Sequence, residues 1–231
     1  MPINKLGVAA IGRLFRKYRS LPVNDTHLMT PKRAENRAAT PFQAKTGQAV
    51  LCSGVTISSG RILLRPISER DTWQVFENFT ADVARFMVPQ PPECVQDTIQ
   101  FIRHAVAGME RGENLQLVIV DKTSGEFLGC CGLHGHGTPR TPELGIWLKV
   151  AAHGNGYGQE AIAALVSWAE RHLVYDYLVY PVDRENHPSR KIPQALGGEI
   201  FGEMICRRQD GGRLDVVIYR IYPQGKQAGR I

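Results

Sequence analysis

The sequence predicts a single α/β domain with its elements in the order β-α-α-β-β-β-α-β-α-β-β. Two observations support this prediction. Runs rich in branched and aromatic residues alternate with runs of helical period, as expected when helices pack on a sheet. The 231 residues, of which 43% are hydrophobic and 22% are charged, suffice for one domain with a core, and neither an internal repeat nor a second domain is visible.

The positive charge of the chain is concentrated in its first fifth. The formal net charge is +6, but residues 1–50 hold nine Lys and Arg against two acids, a balance of +7, while residues 51–231 hold nineteen against twenty, a balance of −1. A domain without net charge has no long-range field that steers it toward nucleic acid, so we expect no nucleic-acid binding by the domain. We interpret residues 1–53 as a basic, flexible N-terminal extension; residues 5–19 either bind an acidic partner or have no role.

Composition also bears on the compartment. No apolar run approaches the roughly 20 residues that span a bilayer, so no membrane partner is expected. The five cysteines are odd in number and have no C-x-x-C spacing, which suggests neither a disulfide framework nor a zinc site. Reduced thiols are typical of the cytosol, so the sequence predicts a cytoplasmic protein without a bound metal.

The domain is predicted to cover residues 54–225, with 226–231 as a C-terminal tail. Its first strand is the alternating, branched run "VTISSGRILLRPI". The next helix, "SERDTWQVFENFT", opens with Ser and Asp and spaces Trp73, Phe76 and Phe79 three residues apart. After the break "PQPPE", a second helix places apolar residues on one stripe, at Val95, Ile99, Ile102, Val106 and Met109.

The remaining elements follow in the second half of the domain. A hairpin joins "NLQLVIVD" to "EFLGCCGLHG" through the turn "KTSG", and "PELGIWLKV" adds a strand. A third helix is marked by Ala161, Leu165, Trp168 and Leu173. The last elements are a short buried strand, "YLVYPV", a short and broken helix, "HPSRKIPQAL", and a hairpin of "GEIFGEMICRR" with "RLDVVIYRIY" around "QDGG".

The stretch "HGNGYGQEA" places three alternate glycines, Gly154, Gly156 and Gly158, directly before the third helix. Its G-x-G-x-G spacing does not fit the dinucleotide fingerprint G-x-G-x-x-G, and no Lys follows as a P-loop requires. Two interpretations remain open from the residues alone. The glycines form a turn of no chemical interest, or they leave the helix N-terminus bare so that an anion such as pyrophosphate reaches its N–H groups.

Residues 153–158 resemble the Q/R-x-x-G-x-G/A loop that grips the pyrophosphate of coenzyme A in the GNAT superfamily of N-acetyltransferases. The wider string "ELGIWLKVAAHGNGYGQEAIAALVSWA", with "RILLRPISERD" and "NHPSRKIPQALGG", resembles the Rim-type branch, which contains ribosomal-protein N-terminal acetyltransferases. The resemblance covers roughly residues 55–222. It implies a single domain with a mixed central β-sheet and helices on both of its faces.

The resemblance also implies a reaction and a cofactor site. Acetyl-CoA would pass its acetyl group directly to a primary amine of a protein N-terminus or of a small molecule, without a metal. Backbone groups at the helix N-terminus would hold the phosphates, and Leu148 and Val150 would present backbone groups to the cofactor arm. The residues predicted to bind coenzyme A are Leu148, Val150, His153, Gly154, Asn155, Gly156, Tyr157, Gly158, Gln159, Asn186 and Ser189.

Glu143 is the candidate base, because the Rim-type proteins carry a glutamate at this position that is proposed to act through water. The amine must lose a proton before it attacks, since a lysine-like ammonium titrates near about 10.4. His134 and His136, two residues apart and facing the same way, are the rival bases; an H-x-H metal site or histidines without a role are the other interpretations.

The acid that assists the departing thiolate is predicted less directly. Many GNAT enzymes use a tyrosine whose position corresponds here to Pro193, so that acid is excluded there. Ser189 matches a serine of the Rim-type proteins and is the candidate, although the sequence equally allows it to be a helix cap. Further departures from the family pattern are His153 for Arg or Gln, Gln159 for Thr and Gly198 for Phe.

The acceptor is not identified by the sequence. By resemblance, "MVPQPPE" and "HGHGTPRTPE" would line its pocket, and their few carboxylates argue against a polycationic acceptor. Two alternative functions stay open: a catalytically silent module that binds acyl-CoA, and an acyltransferase that uses a different acyl-CoA. A homodimer also stays open.

Overall fold

The computed structural model describes residues 40–48, 50–208 and 210–225. The helices and strands of this part, in chain order, are β1 (Ile57–Ser58), β2 (Ile62–Pro66), α1 (Thr72–Asn78), α2 (Ala81–Ala84), α3 (Val95–Glu110), β3 (Asn114–Asp121), β4 (Phe127–His134), β5 (Glu143–Leu148), α4 (Tyr157–His172), β6 (Leu178–Asp183), α5 (His187–Ala195), β7 (Glu199–Arg207) and β8 (Arg213–Ile221). The predicted single α/β domain is confirmed.

The strands form one mixed sheet in the order β1-β2-β3-β4-β5-β6-β8-β7. All neighbours are antiparallel except β5 and β6, which are parallel. Trp147 of β5 contacts Phe79 at the end of α1, whereas Ile146 and Leu148 approach Gly158 of α4. Because successive side chains of a strand point to opposite faces, α1 and α4 cover opposite faces of the sheet, as predicted.

Three local features differ from the predicted element order. The first predicted strand is a small hairpin, because the chain turns between Ser59 and Ile62 and separates β1 from β2. The additional short helix α2 follows α1. The helix predicted to be broken is the continuous α5, although Pro193 lies inside it. Pro193 lies in its last turn, where the missing N–H removes only the bond to the carbonyl of Ser189.

The predicted helical stripes form the core on both faces of the sheet. On α3 the buried residues include Ile102, Ala105 and Met109, and the predicted Val106 is partly buried and packs against the core. On α4 the buried positions include Ala161, Leu165 and Trp168. Leu173, also predicted for this helix, is buried just beyond its end. In the part of the chain that the structure describes, no helix is both long and apolar enough to span a bilayer.

Residues 40–53 require a correction of the predicted extension. Phe42 is 1% exposed, and its backbone N–H donates to the Gly112 carbonyl over 2.7 Å. Ala44 forms a β-bridge with Leu173 at the end of α4, and Cys52 is fully buried. This last part of the predicted extension therefore packs on the domain. The flexibility predicted for residues 1–39, and the tail predicted at 226–231, lie outside the described residues.

We expect Phe42→Ala to lower the free energy of unfolding by about 3 kcal/mol, because it empties a fully buried aromatic site. Urea unfolding followed by circular dichroism measures this loss. Leu51→Ala is the matched control, since Leu51 is in the same segment and 74% exposed. A Phe42→Ala loss no larger than that of Leu51→Ala would show that the segment does not stabilise the domain.

Candidate active site

The site is organised by a divergence between two parallel strands. β4 and β5 pair along the whole of β5, from Glu143 to Leu148, whereas within the described chain β5 and β6 pair at Glu143 and Val179 alone. The Val179 N–H donates to the Pro142 carbonyl at this point, over 2.9 Å. Beyond it the strands separate, so the edge of β5 from Leu144 to Leu148 faces a groove. The N-termini of α4 and α5 follow the far ends of β5 and β6.

The glycine-rich loop forms the turn from β5 into α4. Gly154 and Gly156 have φ values of +77° and +76°, a left-handed conformation that other residues adopt only at a cost. Gly156 is the N-cap residue of α4, so the unpaired N–H groups of the first turn begin directly after it. The turn therefore requires glycine at these two positions, and it leaves the helix N-terminus bare; that an anion binds there stays a prediction.

Gly158 has a different reason to be glycine, because no left-handed φ requires it. A Cβ placed on it would lie 3.4 Å from Ile192 Cδ1 of α5, 3.6 Å from Leu148 Cδ1 and 3.7 Å from Ile146 Cδ1. These are ordinary van der Waals distances, so the fold itself would tolerate a methyl group here. The bare backbone leaves space for about one methyl group between these side chains, at a junction of β5, α4 and α5 that we call the cradle.

Arg61, the residue directly before the strand β2, holds the glycine-rich loop in place. Its guanidinium donates to the Asn155 carbonyl over 3.0 Å, pairs with Glu160 at 2.9 Å and lies 4.6 Å from the centroid of the Tyr157 ring. No local pattern in the sequence points to Arg61, because more than 90 residues separate it from the loop.

The last residues of β5 and the turn after it are arranged as follows. The Lys149 N–H bonds to the Leu128 carbonyl on the β4 side, so by alternation the backbone groups of Ile146 and Leu148 point into the groove. His153 Nε2 lies 2.9 Å from the Leu148 carbonyl and so donates to it. Val150 is outside the strand, in a short 3₁₀ turn, and its carbonyl accepts the N–H of His153. Ile146 is not among the coenzyme A contacts predicted from the sequence.

Glu143, the candidate base, lies at the start of β5 on the face covered by α1. It is 8% exposed, and its Oε2 atom has no hydrogen-bond partner among the described residues. Burial raises the pKa of this carboxyl well above its usual range. A buried carboxyl oxygen without a hydrogen bond is costly for the fold, which is typical of a group retained for chemistry.

The two candidate histidines lie beside Glu143 and face the same way, as predicted. The His134 and His136 rings are stacked with centroids 5.4 Å apart, and His136 Nε2 is 3.8 Å from Glu143 Oε2. The His134 ring occupies the space left by Gly132 of its own strand, β4, and by Gly145 of β5. Burial lowers the pKa of His134 to about 3 and that of His136 to about 4, so both rings are neutral and weakly basic near neutral pH.

Ser189 lies in the first turn of α5. Asn186 caps this helix, with its side-chain oxygen accepting the Ser189 N–H over 3.3 Å, so the cap is Asn186 and not Ser189. The Ser189 hydroxyl instead lies 2.9 Å from the hydroxyl of Tyr180, a buried residue of β6 that the sequence analysis did not single out.

The predicted site residues therefore form two groups at opposite ends of β5. Glu143 and the histidines are at its start, and the glycine-rich loop and Leu148 are at its end, about 17 Å further along the strand. Within residues 40–48, 50–208 and 210–225, no group of three or more His, Cys, Asp or Glu side chains could hold a metal ion.

We expect Glu143→Gln to stabilise the fold as the pH rises. Because the folded-state pKa is raised above the ordinary 4.5, the unfolded chain ionises first, and the wild type loses stability above about pH 4.5. Gln does not titrate, so the variant should be more stable by about 1 kcal/mol or more at pH 8 and equal to the wild type below pH 4.5.

Urea unfolding at pH 4.5, 6 and 8 measures this difference. The titratable groups around Glu143 are His134, His136 and Cys206, with folded-state pKa values of about 3, 4 and 12. These values lie outside the range from pH 4.5 to 8. In the unfolded state the same groups titrate identically in the wild type and the variant, so they do not contribute to the difference. Glu110→Gln, on the exposed side of α3, should change little at any pH. A stability difference independent of pH would contradict the burial of an ionisable carboxyl.

Comparison with known proteins identifies the family. Residues 61–199 match the acetyltransferase (GNAT) domain model, and no curated protein matches the chain. Among similar solved structures, a GNAT-family acetyltransferase from Bacillus anthracis is 19% identical with a TM-score of 0.63, covering 74% of this chain and 99% of that chain. An acetyl transfer enzyme from Salmonella typhimurium that modifies the N-terminal serine of 50S ribosomal subunit protein L7/L12 is 17% identical, with a TM-score of 0.63 and coverages of 73% and 99%.

A third structure is RimL, a ribosomal L7/L12 alpha-N-protein acetyltransferase in complex with coenzyme A. It is 17% identical, with a TM-score of 0.65, and covers 74% of this chain and 100% of that chain. At these identities the structures show a shared fold, and the family assignment rests on the domain match, which spans more than half of the chain. The chain belongs to the GNAT acetyltransferase family and is therefore an acyltransferase.

Proposed function

We propose that this protein transfers an acetyl group from acetyl-CoA directly to a primary amine, and that the amine is a protein N-terminus or a small molecule. The observation that carries the proposal is the groove along β5, with a bare helix N-terminus at one end and the buried carboxyl of Glu143 at the other. A Rim-type activity is supported by the similar structures of ribosomal-protein acetyltransferases.

The residues around the glycine-rich loop fit coenzyme A. The loop from His153 to Gln159 would hold the pyrophosphate through backbone N–H groups and the positive end of the α4 dipole. The cofactor arm would pass the cradle at Gly158, beside Ile146 and Leu148. Val150 and Asn186 remain predicted contacts. Arg61 is added as the residue that fixes the loop.

Glu143 would take the proton from the acceptor amine, directly or through water. A more basic carboxylate accepts a proton more readily, and burial raises the pKa of Glu143 well above its usual range. An α-amino group titrates near about 7.7–8.0, whereas a lysine side chain titrates near about 10.4. The α-amino group loses its proton more readily than the lysine side chain, which favours an α-amino acceptor. The neutral histidines are weaker candidates for the base, because their pKa values of about 3 and 4 are too low.

The compartment and the oligomeric state stay predictions. The described cysteines, Cys52, Cys94, Cys130, Cys131 and Cys206, are free thiols, which fits the proposed cytoplasmic location. The homodimer therefore stays a prediction from the sequence.

We expect Gly158→Ala to separate binding from folding. The added methyl group fits the fold, so stability should stay within about 0.5 kcal/mol, but it fills the cradle and should weaken acetyl-CoA binding by about tenfold or more. Isothermal titration calorimetry and urea unfolding measure the two effects. Gly125→Ala is the matched control, because its φ of +73° lies in a turn outside the site, so it should lose about 1 kcal/mol of stability and keep its affinity. Unchanged affinity in Gly158→Ala would contradict the proposed cofactor position.

We expect Glu143→Gln to lower thiol release from acetyl-CoA by about 10²-fold or more while acetyl-CoA affinity stays within about threefold, because the amide cannot accept the amine proton. A thiol-detecting reagent measures release against panels of N-terminal peptides, amino acids and small amines, with Glu110→Gln as the control. If both the wild type and Glu143→Gln bind acetyl-CoA and neither releases thiol with any amine, the protein is a silent acyl-CoA-binding module. If propionyl-CoA or a longer acyl-CoA is preferred, the proposed acyl group is wrong.

A further inference from the structure

The strand β6 brings a second hydroxyl to the candidate site. Tyr180 is 2% exposed, and its Oη atom lies 2.9 Å from Ser189 Oγ. Among the described residues, neither hydroxyl has another hydrogen-bond partner. Ser189 is therefore the one hydrogen-bond partner of the buried Tyr180 hydroxyl among the described residues.

The direction of this hydrogen bond follows from chemistry. A phenol is more acidic than an alkyl alcohol and its oxygen is a weaker acceptor, so Tyr180 is the natural donor and Ser189 Oγ the acceptor. Burial raises the pKa of Tyr180 to about 12, which keeps its proton in place at any physiological pH. Ser189 then keeps its own O–H for a further acceptor.

The Ser189 O–H is free to point into the groove. A helical serine commonly donates to the carbonyl four residues before it, but for Ser189 this residue is Glu185, which precedes the helix, and no such bond is formed within the described chain. Ile192, three residues later on the same helix face, reaches within 3.4 Å of the open Cβ position of Gly158. The face of α5 that carries Ser189 therefore looks toward the cradle.

We propose that Tyr180 is a positioning residue, which turns the Ser189 hydroxyl toward the sulfur of coenzyme A in the groove. This inference rests on the proposed function. As the acceptor nitrogen bonds to the acetyl carbon, Glu143 takes the proton of the amine. When the carbon–sulfur bond breaks, its electron pair goes to sulfur, and Ser189 stabilises the thiolate by a hydrogen bond. The thiolate takes its proton from solvent, so neither Ser189 nor Tyr180 gives up a proton.

The test is the titration of the thiol of bound coenzyme A, which needs no acceptor amine. Thiolate absorbance is measured against pH in the wild type, Tyr180→Phe, Ser189→Ala and the double variant, each against the same protein without coenzyme A. We expect the thiol pKa to rise by about one unit in each single variant, because a charge-assisted hydrogen bond is lost or misdirected. The double variant should show the same shift as Ser189→Ala, because Tyr180 acts through Ser189.

Tyr219→Phe is the matched control. Tyr219 pairs with Tyr180 across β6 and β8, and its hydroxyl accepts from Arg190 and Gln194 of the same helix α5, each over 3.3 Å. Like Tyr180→Phe, the Tyr219→Phe variant removes a hydroxyl contact to α5, but it should leave the thiol pKa of bound coenzyme A unchanged. In acetyl transfer, Tyr180→Phe should lower kcat about threefold to tenfold with little change in KM, whereas Tyr219→Phe should leave kcat unchanged.

The outcomes separate this inference from the proposed function. An unchanged thiol pKa in Tyr180→Phe, a matching shift in Tyr219→Phe, or additive shifts in the double variant would each overturn the role of Tyr180 and leave acetyl transfer standing. A wild type that binds coenzyme A but transfers no acetyl group removes the proposed function, while the titration still decides the role of Tyr180. A wild type that does not bind coenzyme A removes both.

Discussion

The parallel contact between β5 and β6 is the constraint on which the rest of the structure depends. These strands are held together at Glu143 and Val179 and then diverge, although both continue for several residues. A parallel pair that separates leaves backbone N–H and C=O groups unpaired along an edge, which is costly unless a ligand or water pairs them. The helices α4 and α5 begin where the two strands end, so both helix N-termini flank the opening. The loop and the capped helix therefore meet at this groove, where Arg61 also fixes the loop, and the Glu143 carboxyl lies at the end where the two strands are paired.

The burial of Glu143 links stability to chemistry. Its neighbours His134 and His136 are neutral, so no cation offsets the cost of a buried carboxylate. A protonated histidine at the same place would lower the pKa of Glu143 and make it a weaker base. The His134 ring thus fills the space at Gly132 and Gly145 without supplying charge, and the His136 ring stacks on it. The fold is less stable near neutral pH as a result, and it holds a carboxyl whose pKa burial raises well above its usual range.

The sequence predicted those features that a local pattern encodes. Helical stripes such as Ile102 with Met109, and the strand–glycine–helix turn at Gly154 and Gly156, depend on short-range periodicity and on φ values that only glycine adopts easily. The boundary of the extension was misplaced because one buried phenylalanine, Phe42, lies in a proline-containing polar segment without periodicity. The contacts of Arg61 with Asn155 and Glu160, and of Tyr180 with Ser189, depend on which strands become neighbours. No spacing in the sequence contains that information.

The alternation of side chains along β5 divides the site between the two faces of the sheet. Glu143 points to the face of α1, on the side where Arg208 donates a hydrogen bond to Gln90. Gly158 lies at the other face, beside Ile146 and Leu148. On the proposed function, the amine therefore reaches the base from one face while coenzyme A is gripped from the other. The two substrates meet where β5 and β6 part and the sheet has an opening. Acceptor preference is then a property of the loops on the α1 face, and changes there need not disturb the loop that binds coenzyme A.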